Sequence, residues 1–160
     1  MTIGLKLPPY VYSTQFEDVV RGISEFTEGE GGRRNPFAFL TCTNTLGSSL
    51  FFSDQAEPNR ESKSAASQFA LPTAIGGLAG EPIHALSLGN VHTFTRLLEG
   101  NVALQGIKIV GVGGVTSPEA VGRMRKAGAD VVGCATLLGK EGVGAFERLS
   151  MRLGQDLENS

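Results

Sequence analysis

The chain has 160 residues, of which 41% are hydrophobic and 19% are charged, and this is the balance of one soluble domain large enough to bury a core. Its 14 basic and 16 acidic residues are spread along the chain and give a formal net charge of -2, so we expect no nucleic acid partner. No apolar run approaches the roughly 18 residues that cross a bilayer, and Lys6, Pro8 and Pro9 interrupt the first apolar segment where a signal peptide needs continuity. We therefore expect a single cytoplasmic domain over residues 1–160, without membrane contact.

The N-terminal segment predicts a strand and a helix. Residues 3–7 (IGLKL) form a short apolar run that ends at two prolines, which is typical of a buried strand. Thr14 and Glu17 have the spacing of a capping box, and apolar residues recur at helical spacing after them. We expect a helix over residues 14–27 that ends at the glycine-rich segment 29–34.

A second strand and a long loop follow. Residues 37–42 (FAFLTC) are rich in residues that favour strands and lead into a polar segment at 43–47, where the strand should open into a loop. Residues 53–68 have almost no apolar anchors. We expect a long surface loop there, with Lys63 in solvent.

The C-terminal half continues the alternation of helices and strands. Apolar residues at helical spacing from Leu88 to Leu98 predict a helix that ends at Gly100. The sequence Ser-Pro-Glu at 117–119 supplies an N-cap, a first-turn proline and a first-turn acid, which together predict the start of another helix. The remaining expected elements are a strand over residues 107–112, the end of that helix at Gly128, a strand over residues 129–134 and a helix over residues 142–157.

The order βαβαβαβα is typical of parallel strands joined by right-handed crossovers. A complete (β/α)₈ barrel needs about 250 residues, so four such units amount to half of one. Two architectures stay open on the pattern alone. One is a small open α/β sheet, and the other is a half-barrel that must pair with something at its sheet edges.

Two consecutive strand ends carry small residues. Gly113 and Gly114 follow the third predicted strand, and Ala135 and Thr136 follow the fourth. In (β/α)₈ barrels, the loops after the last two strands often hold a phosphate through backbone amides. We expect these four residues to bind a phosphate, mainly through N–H groups and with one more bond from the Thr136 hydroxyl. The alternative is that the glycines only allow tight turns.

Two polar side chains add to this signal. Lys6 places a charge within an apolar strand, which is unfavourable unless an anion pairs with it or the side chain reaches water at the strand end. Asn44 lies just past the second strand, and its amide can donate and accept at once, as the edge of a pyrimidine or flavin ring requires. The alternative for Asn44 is that it caps the following turn.

Together these residues resemble a known family. Five motifs occur in the order and approximate spacing of the C-terminal half of the dihydroorotate dehydrogenases, and the cytosolic class that is reoxidised by fumarate is the most similar. The motifs are KLPPY at 6–10, TNTLG at 43–47, GGLAG at 76–80, VGVGG at 110–114 and ATLLGKEG at 135–142. The resemblance covers nearly the whole chain.

The resemblance implies a fold, a cofactor and a reaction. The fold would be α/β and would correspond to the C-terminal half, about four βα units, of a TIM (β/α)₈ barrel. The reaction would be the FMN-dependent oxidation of (S)-dihydroorotate to orotate in de novo pyrimidine (UMP) biosynthesis. Fumarate would be the electron acceptor, and the assembly would be a homodimer.

The resemblance also assigns roles to residues. Where the family usually has Gly this chain has Ala135, which keeps the amide but adds a methyl group, and where Ser is common it has Thr45, which keeps the hydroxyl. By motif position, Lys6 would lie near the FMN ring, and Thr43 and Gly80 would pack on the cofactor. The phosphate of FMN would be held by Gly113, Gly114, Ala135 and Thr136. The dihydroorotate or orotate ring would be bound by Asn44 and Thr45.

The catalytic base is the main departure from the family. In the family, a cysteine or serine upstream of the strand that carries the lysine removes the proton from C5 of dihydroorotate. The resemblance therefore implies a base upstream of Met1 and none within this chain. Cys42 and Cys134 lie in apolar runs, and we expect buried structural thiols without a disulfide. We expect no metal site, and we expect His84, in a loop, and His92 to be surface residues.

Three hypotheses follow. The chain is part of a flavin-dependent dihydroorotate dehydrogenase, or it is a non-catalytic half-barrel that binds FMN or phosphate. The third is part of a different phosphate-binding barrel, of the isomerase or aldolase type, without a flavin. The joint presence of Lys6, Asn44 and the GGLAG motif counts against the third.

Overall fold

The computed structural model describes residues 2–27, 35–56 and 68–150 and has an α/β fold. In chain order the elements are β1 (Ile3–Leu7), α1 (Ser13–Glu25), β2 (Phe37–Cys42), β3 (Leu46–Leu50), α2 (Ser53–Ala56), β4 (Ile75–Leu78), a 3₁₀ turn (Glu81–Ile83), α3 (His84–Glu99), a second 3₁₀ turn (Val102–Leu104), β5 (Lys108–Val112), α4 (Pro118–Ala127), β6 (Val131–Gly133), α5 (Thr136–Glu141) and α6 (Gly144–Ser150).

In the main sheet, each strand lies next to the strand that precedes it in the sequence of that sheet. Its four strands are all parallel, and their spatial order β1-β2-β5-β6 is also their order in the sequence. The helices α1, α3 and α4 each connect one strand to the next, and right-handed connections that all advance the same way place their helices on the same face. An open doubly wound sheet would reverse its strand order at a switch point. The observed winding is therefore that of part of a barrel.

The core lies between the helices and one face of this sheet. Leu40 and Cys42 of β2 are fully buried there, together with Val91 and Phe94 of α3 and Met124 of α4. Side chains alternate between the faces of a strand, so these residues mark the outer face of the barrel wall.

The opposite face of the sheet is less covered. Thr41 and Val110 are half-buried, and Val131 at the edge is 53% exposed. Lys6, which is paired in register with Thr41, also lies on this face and is exposed. The expectation of a strand over residues 3–7 is confirmed, and the exposure of Lys6 agrees with the alternative in which its side chain reaches water, because its side of β1 is the poorly covered one.

Helix ends follow local signals, with one exception. The Ser117 Oγ accepts a hydrogen bond from the Ala120 amide at 3.3 Å, and Gly128 ends α4 with a left-handed φ of 115°, as the sequence predicts. The capping box predicted for α1 at Thr14 and Glu17 is wrong, because the helix begins at Ser13. The Oε1 atom of Gln15 instead accepts from the amides of the two residues that precede the helix, at 2.9 and 3.1 Å.

A β-hairpin was not predicted. β3 and β4 pair in antiparallel orientation in a separate two-stranded sheet, and an isolated bridge joins Phe52 to Phe69 nearby. Serine and glycine fill much of both strands, so neither segment has the composition of a strand by itself. The loop expected over residues 53–68 begins with α2, and Lys63 lies outside the described residues.

A helix that was not predicted precedes the last one. Residues 142–157 were expected to form one helix, and α6 begins close to that start, at Gly144, whereas α5 covers Thr136–Glu141. Gly142 separates them with a positive φ of 58°, which interrupts the helical backbone. The part of that prediction beyond residue 150 lies outside the described residues, as does the glycine-rich segment 29–34 that was expected to end the first helix.

The close approach of α4 to β5 can be tested with two alanine substitutions. A Cβ at Gly111 would lie 2.9 Å from the Ala129 Cβ and 3.0 Å from the Met124 sulfur, so we expect Gly111→Ala to lower the free energy of unfolding by about 1–3 kcal/mol. A Cβ at Gly122, within α4, would meet nothing within 4 Å, and we expect Gly122→Ala to raise it by about 0.5–1 kcal/mol. Urea unfolding of both variants measures the difference. A neutral Gly111→Ala would contradict the packing of α4 on the sheet.

Candidate functional site

The loops that follow the parallel strands meet around one cavity at the carboxyl edge of the sheet. The space at this edge measures about 460 Å³ with open solvent included. In barrel enzymes this edge carries the active site. All nine residues singled out from the sequence line this cavity, namely Lys6, Thr43, Asn44, Thr45, Gly80, Gly113, Gly114, Ala135 and Thr136. Their individual roles stay predictions.

The wall of the cavity is mostly apolar and favours a negatively charged ligand. Ile83, Val112, Val115 and Leu137 supply the apolar part of its surface. Within the described part of the chain, Lys6 is the only charged residue of the lining, and no acidic side chain pairs with it. An unpaired ammonium group in a cavity without carboxylates attracts an anion.

The glycine pair after β5 is buried and crowded. Gly113 and Gly114 have positive φ values of 136° and 63°, which side chains rarely tolerate. A Cβ at Gly113 would lie 1.9 Å from the Ser87 Oγ, and one at Gly114 would lie 2.7 Å from the His84 Cβ and 2.9 Å from the Gly80 carbonyl oxygen. No larger side chain fits either position.

The Gly114 amide has no hydrogen-bond acceptor among the described residues, although Gly114 is buried. A buried amide without a partner costs free energy, and most are satisfied by protein, water or ligand. Gly114 lines the cavity, so a ligand bound there is a candidate acceptor for this amide.

The loop after β2 is tied to both neighbouring strands. The Thr43 amide donates to the Val112 carbonyl, and the Asn44 amide donates to the Leu7 carbonyl, each at 2.8 Å. The Oδ1 of Asn44 accepts from the Thr45 amide at 2.9 Å, so this side chain does cap its own turn, as the alternative reading of the sequence expected. Its Nδ2 forms no hydrogen bond with the described residues and remains available to a ligand.

Two buried polar side chains of α3 hold these loops from behind. The Ser87 Oγ lies 3.0 Å from the Thr43 Oγ1. The Asn90 side chain accepts from the Tyr10 amide at 2.8 Å and donates to the Tyr10 carbonyl at 3.0 Å, which anchors the loop after β1. Neither residue was predicted from the sequence, although their spacing of three on the apolar side of a helix is a recognisable signal.

His84 continues the same stripe, three residues before Ser87. It is half-buried as the first residue of α3, and its Nδ1 lies 2.8 Å from the Gly113 carbonyl oxygen. The expectation that His84 is a surface residue in a loop is therefore wrong, because the helix begins there and carries the ring under the glycine pair. His92 is exposed, as expected.

The two cysteines differ in their surroundings. Cys42 is fully buried, and burial raises the pKa of its thiol to about 12, so it is a structural thiol as expected. Cys134 is only half-buried and lines the cavity, so the expectation of a buried thiol is wrong for it, because β6 ends just before it. Both thiols are free.

The described residues contain neither a candidate metal site nor a helix that could span a membrane. In that part of the chain, no three side chains of His, Cys, Asp or Glu are grouped so that they could hold a metal ion. No helix in the same residues combines the length and the apolar character needed to span a membrane.

Sequence comparison shows the family of this chain. The profile of the family described as Dihydroorotate dehydrogenase matches residues 2–157. A probable dihydroorotate dehydrogenase A (fumarate) of Streptococcus pneumoniae serotype 4 is 30% identical over 151 residues, which are 94% of this chain and 41% of that protein. The dihydroorotate dehydrogenase (fumarate) of Saccharomyces mikatae is 29% identical over 157 residues, which are 98% of this chain and 43% of the yeast protein. The chain belongs to the dihydroorotate dehydrogenase family and spans about two fifths of the length of these relatives.

Comparison of structures agrees on the fold. A DHODH from Eimeria tenella, solved in complex with ferulenol, superposes with a TM-score of 0.66 at 18% identity, over 99% of this chain and 35% of that chain. The ligand-free form gives a TM-score of 0.64 at 21% identity, over 96% and 35% of the two chains. The expectation of an α/β fold that forms part of a TIM barrel is confirmed.

The different burial of the two cysteines predicts different reactivity. At about pH 8, a thiol with a pKa near 12 is ionised in only about one molecule in ten thousand, and only the thiolate reacts with iodoacetamide. We expect Cys134 to be alkylated in the folded chain while Cys42 stays unmodified, and both to react in denaturant. Mass spectrometry of tryptic peptides measures this, and equal labelling of both cysteines in the folded chain would contradict the burial of Cys42.

Proposed function

We propose that this chain is the FMN-binding part of a dihydroorotate dehydrogenase, which oxidises (S)-dihydroorotate to orotate in de novo pyrimidine (UMP) biosynthesis. The observation that carries the proposal is the buried, unpaired Gly114 amide in a cavity that also contains Lys6 and Asn44. Because the chain spans about two fifths of its relatives, the reaction is proposed for the whole protein and the binding of FMN for residues 1–160, taken as one partial domain.

The residues present fit the phosphate end of FMN. The glycine pair lines the cavity with its backbone, and none of the described residues accepts a hydrogen bond from the Gly114 amide. Ala135 and Thr136 line the same corner, and a Cβ at Gly80 would be in ordinary contact with the Thr136 methyl group, at 3.4 Å. Backbone amides and a hydroxyl group are the donors that bind a phosphate through short, charge-assisted hydrogen bonds.

The remaining polar residues suit the flavin and the substrate ring. When bound, FMN would supply the two-electron acceptor of the oxidation. Lys6 would hold a positive charge near the flavin ring and favour its electron-rich reduced state. Thr43 would pack on the cofactor, as would Gly80. Asn44, through its unpaired Nδ2, and Thr45 would bind the dihydroorotate or orotate ring.

The proton at C5 of dihydroorotate needs a base, and we propose that the base lies outside this chain, upstream of Met1. Cys42 is unsuited, because its pKa is raised to about 12 and its thiol is buried. Among the described residues that line the cavity, only Lys6 and Cys134 have titratable side chains. This shortage supports the second candidate function, a non-catalytic half-barrel that binds FMN or phosphate.

The proposal extends to the partners that the resemblance implies. Relatives named for fumarate suggest fumarate as the electron acceptor, and the resemblance to the cytosolic class implies a cytoplasmic location. A homodimer stays a prediction.

Flavin binding by the purified chain tests the proposal. We expect FMN to bind and its fluorescence to be quenched, and riboflavin, which lacks the phosphate, to bind at least about tenfold more weakly, since each charge-assisted hydrogen bond contributes about 1.5–3 kcal/mol. Gly114→Ala should abolish this preference, because its Cβ would clash at a positive φ, whereas Gly122→Ala should keep it.

The outcomes separate the hypotheses. Equal affinity for riboflavin and FMN would contradict the phosphate site, and the absence of flavin binding would overturn the proposal. If dihydroorotate bleaches the visible flavin absorbance under anaerobic conditions, the chain supports the oxidation itself. If FMN binds but dihydroorotate does not bleach it, the chain is better described as the non-catalytic half-barrel that binds FMN or phosphate.

A further inference from the structure

His84 makes two hydrogen bonds that join the glycine loop to α4. Its Nδ1 lies 2.8 Å from the Gly113 carbonyl oxygen, and its Nε2 lies 3.2 Å from the Nε of Arg123. A guanidinium group can only donate, so Nε2 accepts and Nδ1 carries the proton that is donated to Gly113. The two partners therefore select one neutral tautomer of the imidazole.

This tautomer fixes the orientation of the peptide between Gly113 and Gly114. The peptide is trans, and a trans peptide plane holds its C=O and N–H groups in opposite directions. With the carbonyl held by His84, the Gly114 N–H points away from the imidazole. Gly114 lines the cavity whereas His84 does not, so the N–H is turned towards the space that a ligand would occupy.

Two adjacent glycines make such a restraint useful. Glycine has more conformational freedom than any other residue, and a loop of two glycines loses much of it when a ligand orders the loop. A loop that is already held in its binding conformation loses less at the moment of binding, and its affinity is correspondingly higher. The bond from His84 restrains this loop in the absence of any ligand.

We propose that His84, held by Arg123, is a positioning residue that presets the Gly113–Gly114 loop for an anionic phosphate. This inference rests on the proposed function, because the phosphate is taken to be that of FMN. His84 does not line the cavity, so it acts through the backbone and makes no contact with the ligand.

Substitutions on α3 test the role of the imidazole. His84→Leu removes the donor to Gly113, and we expect the affinity for FMN to fall about tenfold while that for riboflavin stays the same. His84→Asn puts an amide nitrogen near the position of Nδ1 and should restore most of the preference for FMN. His92→Leu, the same change on the exposed side of α3, should alter neither affinity. A purely structural role would lower both affinities together, without rescue by Asn, and would overturn the proposal.

A measurement without ligand tests the role of Arg123. Nitrogen NMR of the imidazole should show the Nδ1-protonated tautomer of His84 in the wild-type chain. Arg123→Met should mix the two tautomers and weaken the preference for FMN, while Arg125→Met on the same helix should do neither. An Nε2-protonated His84 in the wild-type chain would overturn the proposal.

The failures of the two proposals are distinguishable. If the wild-type chain binds neither flavin, the proposed function is wrong and the positioning role falls with it. If the wild-type chain prefers FMN and His84→Leu keeps the same preference, only the positioning role is overturned.

Discussion

One polar stripe on α3 holds three strand-end loops at fixed positions, and the geometry of the cavity depends on it. His84, Ser87 and Asn90 recur every third residue and reach the loops after β5, β2 and β1 in turn. Ser87 and Asn90 are buried, and a buried polar group that loses its partner costs about 1–3 kcal/mol. A rotation or shift of α3 would break several of these bonds together, so the helix and the loops fix each other's positions.

The same helix explains why the loop after β5 contains two glycines. Ser87 and His84 stand where the Cβ atoms of Gly113 and Gly114 would be, so the close approach of α3 requires glycine even without a ligand. A structural role for Gly113 and Gly114 is therefore compatible with a role in phosphate binding. What favours a ligand is the Gly114 amide, which is buried and has no acceptor among the described residues.

The winding of the sheet places the polar residues at one edge. Parallel strands in sequential order bring all their carboxyl ends together, so loops from residues more than a hundred positions apart share one cavity. The helices cover the outer face of this sheet, and the inner face carries Lys6 and the half-buried Thr41. This arrangement agrees with a chain that matches its family from residue 2 to residue 157 and spans about two fifths of its relatives.

By itself, the sequence predicted the parallel strands, the caps of α4 and nine of the residues that line the cavity. Periodicity, capping and strand-end position are local properties of the chain, and the motif resemblance added Thr43, Thr45 and Gly80. Only the tertiary structure decided the β3–β4 hairpin, since residues 46–50 and 75–78 carry no strand signal until they pair. It also decided the exposure of Lys6, which depends on what covers the sheet, and the role of His84. The partners of His84 lie 29 and 39 residues away, and no local pattern records which distant group a polar atom will meet.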